Sequence, residues 1–197
     1  MKLSDVDWAH WTPRWRATLL FIRRGDELLM IHKKRGLGAG KFNAPGGRLE
    51  PGETPLQAAI RETIEELRIE PVGVKPRGEL RFQFTDGLSI HGYVFTAADY
   101  RGEPTETDEA RPVWFHVREI PYDNMWADDR VWLPALLAGH CFEGRFIFDG
   151  ERMLEHEFNL RAAESFRESS CAWFAATPST TRPAFPPRAA FRAPHPR

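Results

Sequence analysis

Residues 46–70 read GGRLEPGETPLQAAIRETIEELRIE, and the fold turns on how this stretch is read. Two glycines open it, Pro51-Gly52 turns the chain, and the remainder has helical spacing. At about 100° per residue, Glu62, Glu65 and Glu66 fall on one face. Leu56, Ala59, Ile60, Thr63, Ile64 and Leu67 fall on the other. The pattern predicts a helix that docks on a core through its apolar stripe and points its acids away. Carboxylates at i, i+3 and i+4 repel one another by a few tenths of a kcal/mol per pair. A hard divalent cation that takes carboxylate oxygens and keeps room for water and phosphate would relieve that repulsion, and Mg²⁺ suits best. The plainer reading of the helix by itself is a solvated acidic face.

The spacing around the helix favours the metal reading. Counting from Gly47, five residues precede Glu53, seven more precede Arg61-Glu62, and two more precede Glu65-Glu66. This resembles the Nudix box, G-x5-E-x7-R-E-U-x-E-E-x-G-U, where U is a bulky aliphatic. Gly47, Glu53, Arg61, Glu62, Glu65, Glu66 and Ile69 match it. Thr63 stands where the box has an aliphatic, and Arg68 stands where it has glycine. A glycine there would serve a left-handed helix C-cap, a conformation Arg enters only at steric cost.

Composition sets the outer bounds. A chain of 197 residues with 42% hydrophobic and 12% aromatic content suits one globular domain with a tail. The formal net charge of −1 gives no electrostatic reason to expect a nucleic-acid polymer as partner. Two cysteines, Cys141 and Cys171, have no paired framework or metal-ligand spacing, and are expected as reduced thiols in a cytoplasmic protein. No apolar run approaches 18 residues, and the start, MKLSDVDWAHW, lacks the pattern of a secretory signal. Neither a membrane span nor a membrane partner is expected.

Along the chain, residues 1–15 form an N-terminal arm with Trp8, Trp11 and Trp15, expected to pack on the domain. Residues 17–23 and 27–32 read as a hairpin about Gly25-Asp26, and residues 78–85 and 88–96 as a second about Asp86-Gly87. Residues 102–110 are an acidic loop and residues 112–117 a strand. Asp128 or Asp129 is placed to N-cap a helix over 130–137. Residues 142–148 and 152–158 complete a last hairpin around Asp149-Gly150. The domain is thus expected over 16–159, with an extension over 160–197 that begins as a weak helix over 160–176. The last 21 residues hold six prolines, four arginines and no acid, a composition expected to be disordered.

Beyond the box, LLMIHKKRGLGAGKFNAPGG, DEARPVWF and IPYDNMWADDRVWLPALL resemble the oxidised-purine nucleoside triphosphatases, the MutT-homologue branch of Nudix hydrolases. The resemblance implies an α/β fold, a Nudix α/β/α sandwich with a mixed sheet and a loop-helix-loop catalytic box. It implies Mg²⁺-dependent hydrolysis of a nucleoside triphosphate to monophosphate and pyrophosphate, with Mn²⁺ as a possible substitute. Glu62, Glu65 and Glu66 would be the metal ligands, and one of them or Glu109 the base. Arg61 would orient the glutamates, Glu53 completes the box, and Gly46 and Gly47 would bring backbone close to metal or phosphate. Base recognition would fall on Asn43, Trp126, Asp128 and Asp129, with Phe82 and Trp132 lining the pocket. Lys33 would meet phosphate or the pocket wall, and Thr18 the floor. Adjacent carboxylates in a dry pocket need not both ionise, so one donates while the other accepts, as the lactam edge of 8-oxoguanine requires. Leu37, where the branch carries an aromatic, and Ala44-Pro45 before the glycines depart from its pattern. A monomer acting on a small nucleotide is expected. The alternatives are a Nudix hydrolase of ADP-ribose or an alkylated nucleotide, and a catalytically silent nucleotide-binding module.

Overall fold

A computed structural model of the chain describes residues 1–170 and Trp173. The opening strand β1 (Trp15–Arg24) carries apolar side chains on both faces, Leu19 and Phe21 on one and Leu20 and Ile22 on the other. A strand of that kind belongs in the middle of a covered sheet. It lies between β2 (Glu27–Lys33), antiparallel across the turn at Gly25, and β6 (Ser89–Ala97), which is parallel to it. The sheet continues outward through β5 (Lys75–Phe84), β9 (Cys141–Asp149) and β10 (Arg152–Arg161). On the other side, β2 also pairs with β3 (Phe42–Asn43) and β8 (Ala110–His116). The β1–β6 and β5–β9 pairs are parallel and the remainder antiparallel, so the eight-stranded sheet is mixed as expected. A small separate sheet pairs β4 (Glu70–Val72) with β7 (Asp99–Arg101).

Each face of the main sheet is covered. Helix α1 (Pro55–Leu67) packs on the face carrying Leu20, Ile22, Leu29, Ile31 and Phe95. Helix α2 (Asp129–Leu137) packs on the opposite face against Phe21, Phe142 and Leu80. This is the α/β/α arrangement. A short α3 (Ala163–Ser169) follows β10, so the helix expected from residue 160 begins later, because β10 holds its register with β9 as far as Arg161. The expected tail beyond Trp173 lies outside the described residues, as does Cys171. Cys141 is a buried free thiol. The arm ends one residue earlier than expected: Trp11 donates its indole N–H to Gln83 at 2.9 Å, whereas Trp15 already belongs to β1. Among the described residues no helix is long and apolar enough to cross a membrane.

Helix α1 begins as its sequence dictates. Thr54 accepts from the Gln57 backbone N–H at 3.2 Å, and the Gln57 side chain accepts from the Thr54 N–H at 2.9 Å. This capping box, with Pro55 at the first helical position, stabilises the start by about 1 kcal/mol. The helix ends at Arg68, whose φ of 61° is the left-handed cap foreseen for a glycine, with its N–H on the Ile64 carbonyl. One expectation fails. The acidic side of α1 does not simply face solvent: Glu66 is 1% exposed and Glu62 partly buried, while Ile64, placed in the apolar stripe, is 40% exposed. The helix is rolled so that Ala58, Ala59, Thr63 and Glu66 pack inward, because the Gly46-Gly47 backbone offers Glu66 and Glu62 a polar surface to lie against.

Candidate active site

The functional geometry starts at the glycines. The loop after β3 runs back along β1, with the Thr18 N–H donating to the Gly47 carbonyl at 2.9 Å and the Leu20 N–H to the Pro45 carbonyl at 3.0 Å. A Cβ at Gly46 would sit 1.9 Å from the Thr18 carbonyl oxygen, and one at Gly47 would sit 2.4 Å from Glu62 Oε1. The clash at Gly46 is with backbone and excludes any side chain, whereas a side chain at Gly47 would displace the Glu62 carboxylate. The Gly46 N–H donates to Glu66 Oε2 at 2.8 Å, and Lys33 Nζ lies 3.4 Å from Glu66 Oε1.

Arg61 organises the acids of the box. Its Nε and Nη2 donate to the two oxygens of Glu53 at 2.8 and 3.0 Å, its Nη1 to Glu62 at 2.8 Å and Glu65 at 3.0 Å, and its Nη2 to the Arg48 carbonyl at 3.0 Å. The bidentate fork to Glu53 is the geometry only a guanidinium supplies. Burial pushes the Glu53 carboxyl up, but Arg61 and the Glu50 N–H together outweigh it and leave Glu53 below the usual range. Burial wins at Glu62, raised despite Arg61, and at Glu66, raised despite Lys33 and the Gly46 N–H.

Glu62 and Glu66 form one wall of a cavity of about 490 Å³. Its opposite end is aromatic: Trp126 stands edge-on to Phe84 and Phe148, with centroids 6.5 and 5.9 Å away, beside Phe82. Asp128 and Asp129 open onto the cavity although only 4% and 2% exposed. Asp128 Oδ2 accepts from the Trp132 indole N–H at 2.8 Å, and Asp129 Oδ2 from the Trp126 backbone N–H at 3.0 Å. Burial pushes Asp128 up to about 6, and burial together with the neighbouring Asp128 charge holds Asp129 well above the carboxylate range. Both carboxyls are thus shifted toward the protonated form, the state in which one of the pair can donate. Asn43 faces the same space, its Oδ1 fixed by the Ala44 N–H at 2.8 Å. Thr18 Oγ1 is buried on the cavity wall with no hydrogen-bond partner among the described residues.

The structure therefore gathers Thr18, Lys33, Asn43, Gly46, Gly47, Glu62, Glu66, Phe82, Glu109, Trp126, Asp128 and Asp129 around one cavity. Glu109 sits at the mouth, ion-paired to Arg35. Arg61 and Glu53 lie behind the wall they support. Glu65, expected beside Glu62 and Glu66, is half-exposed on Arg61 and away from the cavity. Among the described residues no three acids or other metal-binding side chains converge into a ready cation cage, and Lys33 and Arg61 rest on the carboxylates instead. Trp132 is not on the pocket wall: it is fully buried in the core, where its N–H holds Asp128. Asp128 makes no side-chain cap to α2; its backbone is already helical and its Oδ2 accepts from the indole instead. Sequence reasoning missed Trp15, Arg48, Phe84 and Phe148. Phe84 shares a strand face with Phe82 two residues away, a signal that period-2 alternation carries. Arg48, stacked 3.3 Å over the Trp15 ring, had no such signal.

The NUDIX domain family matches residues 13–136. The chain is 40% identical to an oxidized purine nucleoside triphosphate hydrolase of Danio rerio over 146 residues, covering 72% of this chain and 92% of that protein. It is 36% identical to the Mus musculus protein of the same description, covering 76% and 96%. The solved structure of the mutator MutT protein from Bacillus halodurans shares the fold, with a TM-score of 0.67, 24% identity, and coverage of 74% of this chain and 97% of that one. The glycine loop, the capped helix behind it and the carboxylates it presents thus have their counterpart in a known family, and the chain is a member of the Nudix hydrolases.

Proposed function

We propose that this Nudix hydrolase cleaves oxidised purine nucleoside triphosphates, 8-oxo-dGTP foremost and 2-hydroxy-dATP with it, to monophosphate and pyrophosphate. It would act as a monomer on the cytoplasmic nucleotide pool. The observation that carries the reading is the buried Asp128–Asp129 pair, opening onto the same cavity as Glu62 and Glu66. A pair sharing a proton meets an oxopurine edge with one donor and one acceptor, and Trp126 supplies a stacking face. The vertebrate relatives, described as hydrolases of oxidized purine nucleoside triphosphates, support the same substrate class.

The opposite wall fits Mg²⁺ in its donor chemistry. Glu62 and Glu66 are hard oxygen donors raised by burial, and a cation would relieve the cost of ionising them. Glu62, Glu66 and, after leaving Arg61, Glu65 would hold it. When bound, the metal supplies charge neutralisation to the phosphates and lowers the cost of making hydroxide from water. The chain's own groups do the remainder. Lys33 and Arg35 set positive charge beside the phosphate path, and the Gly46 N–H keeps Glu66 in place. Arg61 fixes Glu62, and Glu109, ion-paired to Arg35 at the mouth, or one of the box glutamates would accept the proton of the attacking water.

The test is product formation with Mg²⁺ from 8-oxo-dGTP, 2-hydroxy-dATP, dGTP and ADP-ribose, for wild type and Asp128→Asn. Preference for the oxidised purines, falling about tenfold or more toward dGTP in Asp128→Asn, is the expected result. ADP-ribose turnover indifferent to Asp128 would keep the family chemistry and remove the substrate assignment.

A further inference from the structure

Trp126 is held by a contact outside the cavity. The loop after β2 approaches the indole so closely at Gly38 that a Cβ there would lie 2.9 Å from Nε1, and the φ of 82° excludes most side chains as well. That loop ends at Lys41, whose N–H donates to the Gly38 carbonyl at 3.0 Å and whose carbonyl accepts from the Lys33 N–H at 2.9 Å. The backbone thereby fixes where the Lys41 side chain departs. Its ammonium lies 5.5 Å from the Trp126 ring centroid and 3.0 Å from Glu151 Oε2. Trp126 lines the cavity and Lys41 does not, so the cation backs the ring from outside. Glu151 sits in the turn between β9 and β10, beyond residues 13–136 that match the family.

An exposed ion pair by itself contributes little, and Glu151 is 71% exposed. The pair has a second consequence here. It joins the glycine loop beside the indole to the β9–β10 turn, and it holds a cation over a π face. A cation on one face draws electron density toward itself, which makes the opposite face a better partner for an electron-rich oxopurine.

We propose that Lys41 and Glu151 are positioning residues for base selection: together they latch the glycine loop to the β9–β10 turn and fix Trp126 as the stacking wall. The inference rests on the oxopurine reading of the cavity.

Equilibrium binding of 8-oxo-dGMP and of dGMP, and inhibition by inorganic pyrophosphate, test it on the full chain. Binding of the monophosphates is measured without metal. The variants are Lys41→Gln, Lys41→Arg and Glu151→Gln. Lys41→Gln is expected to weaken 8-oxo-dGMP about three- to tenfold and Glu151→Gln about two- to threefold. Lys41→Arg is expected to stay near wild type, and pyrophosphate inhibition to stay constant throughout. Unchanged 8-oxo-dGMP affinity in Lys41→Gln, or a parallel loss toward pyrophosphate, overturns the proposal while leaving the oxopurine reading standing. Wild type that binds dGMP as well as 8-oxo-dGMP overturns the oxopurine reading, and this proposal with it.

Discussion

At the helix end of the cavity, Glu53, Glu62 and Glu66 each meet an arginine, a lysine or a backbone N–H, whereas Asp128 and Asp129 at the aromatic end form no ion pair among the described residues. Both sets are carboxylates on or behind the walls of one cavity. Fixed cations oppose the upward push of burial on Glu62 and Glu66 and, with the Glu50 N–H, outweigh it at Glu53. The first set thus already lies against positive charge that a metal could replace. Burial shifts the second set, which has no ion pair and only the more distant Lys41 charge, toward the protonated form, ready to donate to a base. The same functional group thus serves two chemistries, and its surroundings select which.

The largest effect that would sharpen this contrast is expected from Glu66→Gln. Glutamine keeps an acceptor for the Gly46 N–H but cannot take a cation as a carboxylate does, so kcat should fall about a hundredfold or more. Pyrophosphate release measures it. Base preference in the residual activity should survive, and if it vanishes the two ends are not separable.

A smaller effect is expected from Asp129→Asn, read in stability against pH. The folded pKa of Asp129 is raised above its unfolded value, as is that of Asp128, pushed up to about 6. The folded protein therefore binds the extra proton more tightly. The stability this gives is fully present below the unfolded carboxylate pKa and is lost as pH rises through the folded values. The variant, which has no such proton to lose, should match wild type near pH 4 and exceed it by about 1–2 kcal/mol at pH 8. Denaturant midpoints at the two pH values decide the matter. A variant less stable at pH 8 would mean that Asp129 is ionised in the folded protein and that the contrast between the ends is wrong.

The smallest effect concerns the support of the metal end. Arg68→Gly removes a left-handed residue with a side chain, and should raise stability by about 0.5–1 kcal/mol with no change in base preference. Thermal unfolding would show it. A loss of stability would mean that the Arg68 side chain holds the helix exit.

Much of this was legible in the sequence, and what was not has physical reasons. Thr54, Pro55 and the spacing of Arg61 to Glu66 act through local backbone geometry, so the helix and its box could be read directly. Arg68 could be read too: the left-handed cap is a property of the position, whatever residue fills it. The roll of the helix could not. Periodicity assigns carboxylates outward, and only the approach of the Gly46-Gly47 backbone from β3 makes it favourable to bury Glu66. Trp132 and Trp126 look alike in sequence, six residues apart around the two aspartates. One is core and the other is wall because α2 starts between them, which turns Trp132 toward Phe21 and Phe142. The short strands β3, β4 and β7 carry no pattern of their own and exist through their partners.

The strand order also bears on how a growing chain acquires its properties. The layer beneath α1 is drawn mainly from β1, β2, β6 and α1 itself, all complete by Ala97. The aromatic end needs Phe148, carried by a strand that joins the sheet edge beside β5 only after α2 has been made. Domains emerge from the ribosome N-terminus first, and a parallel strand pair between distant segments is slow to close. On the ribosome, the layer behind the glutamates proposed to hold the metal can settle before the wall proposed to choose the nucleotide. If the proposed roles hold, this polypeptide acquires its discrimination after the scaffold of its metal end.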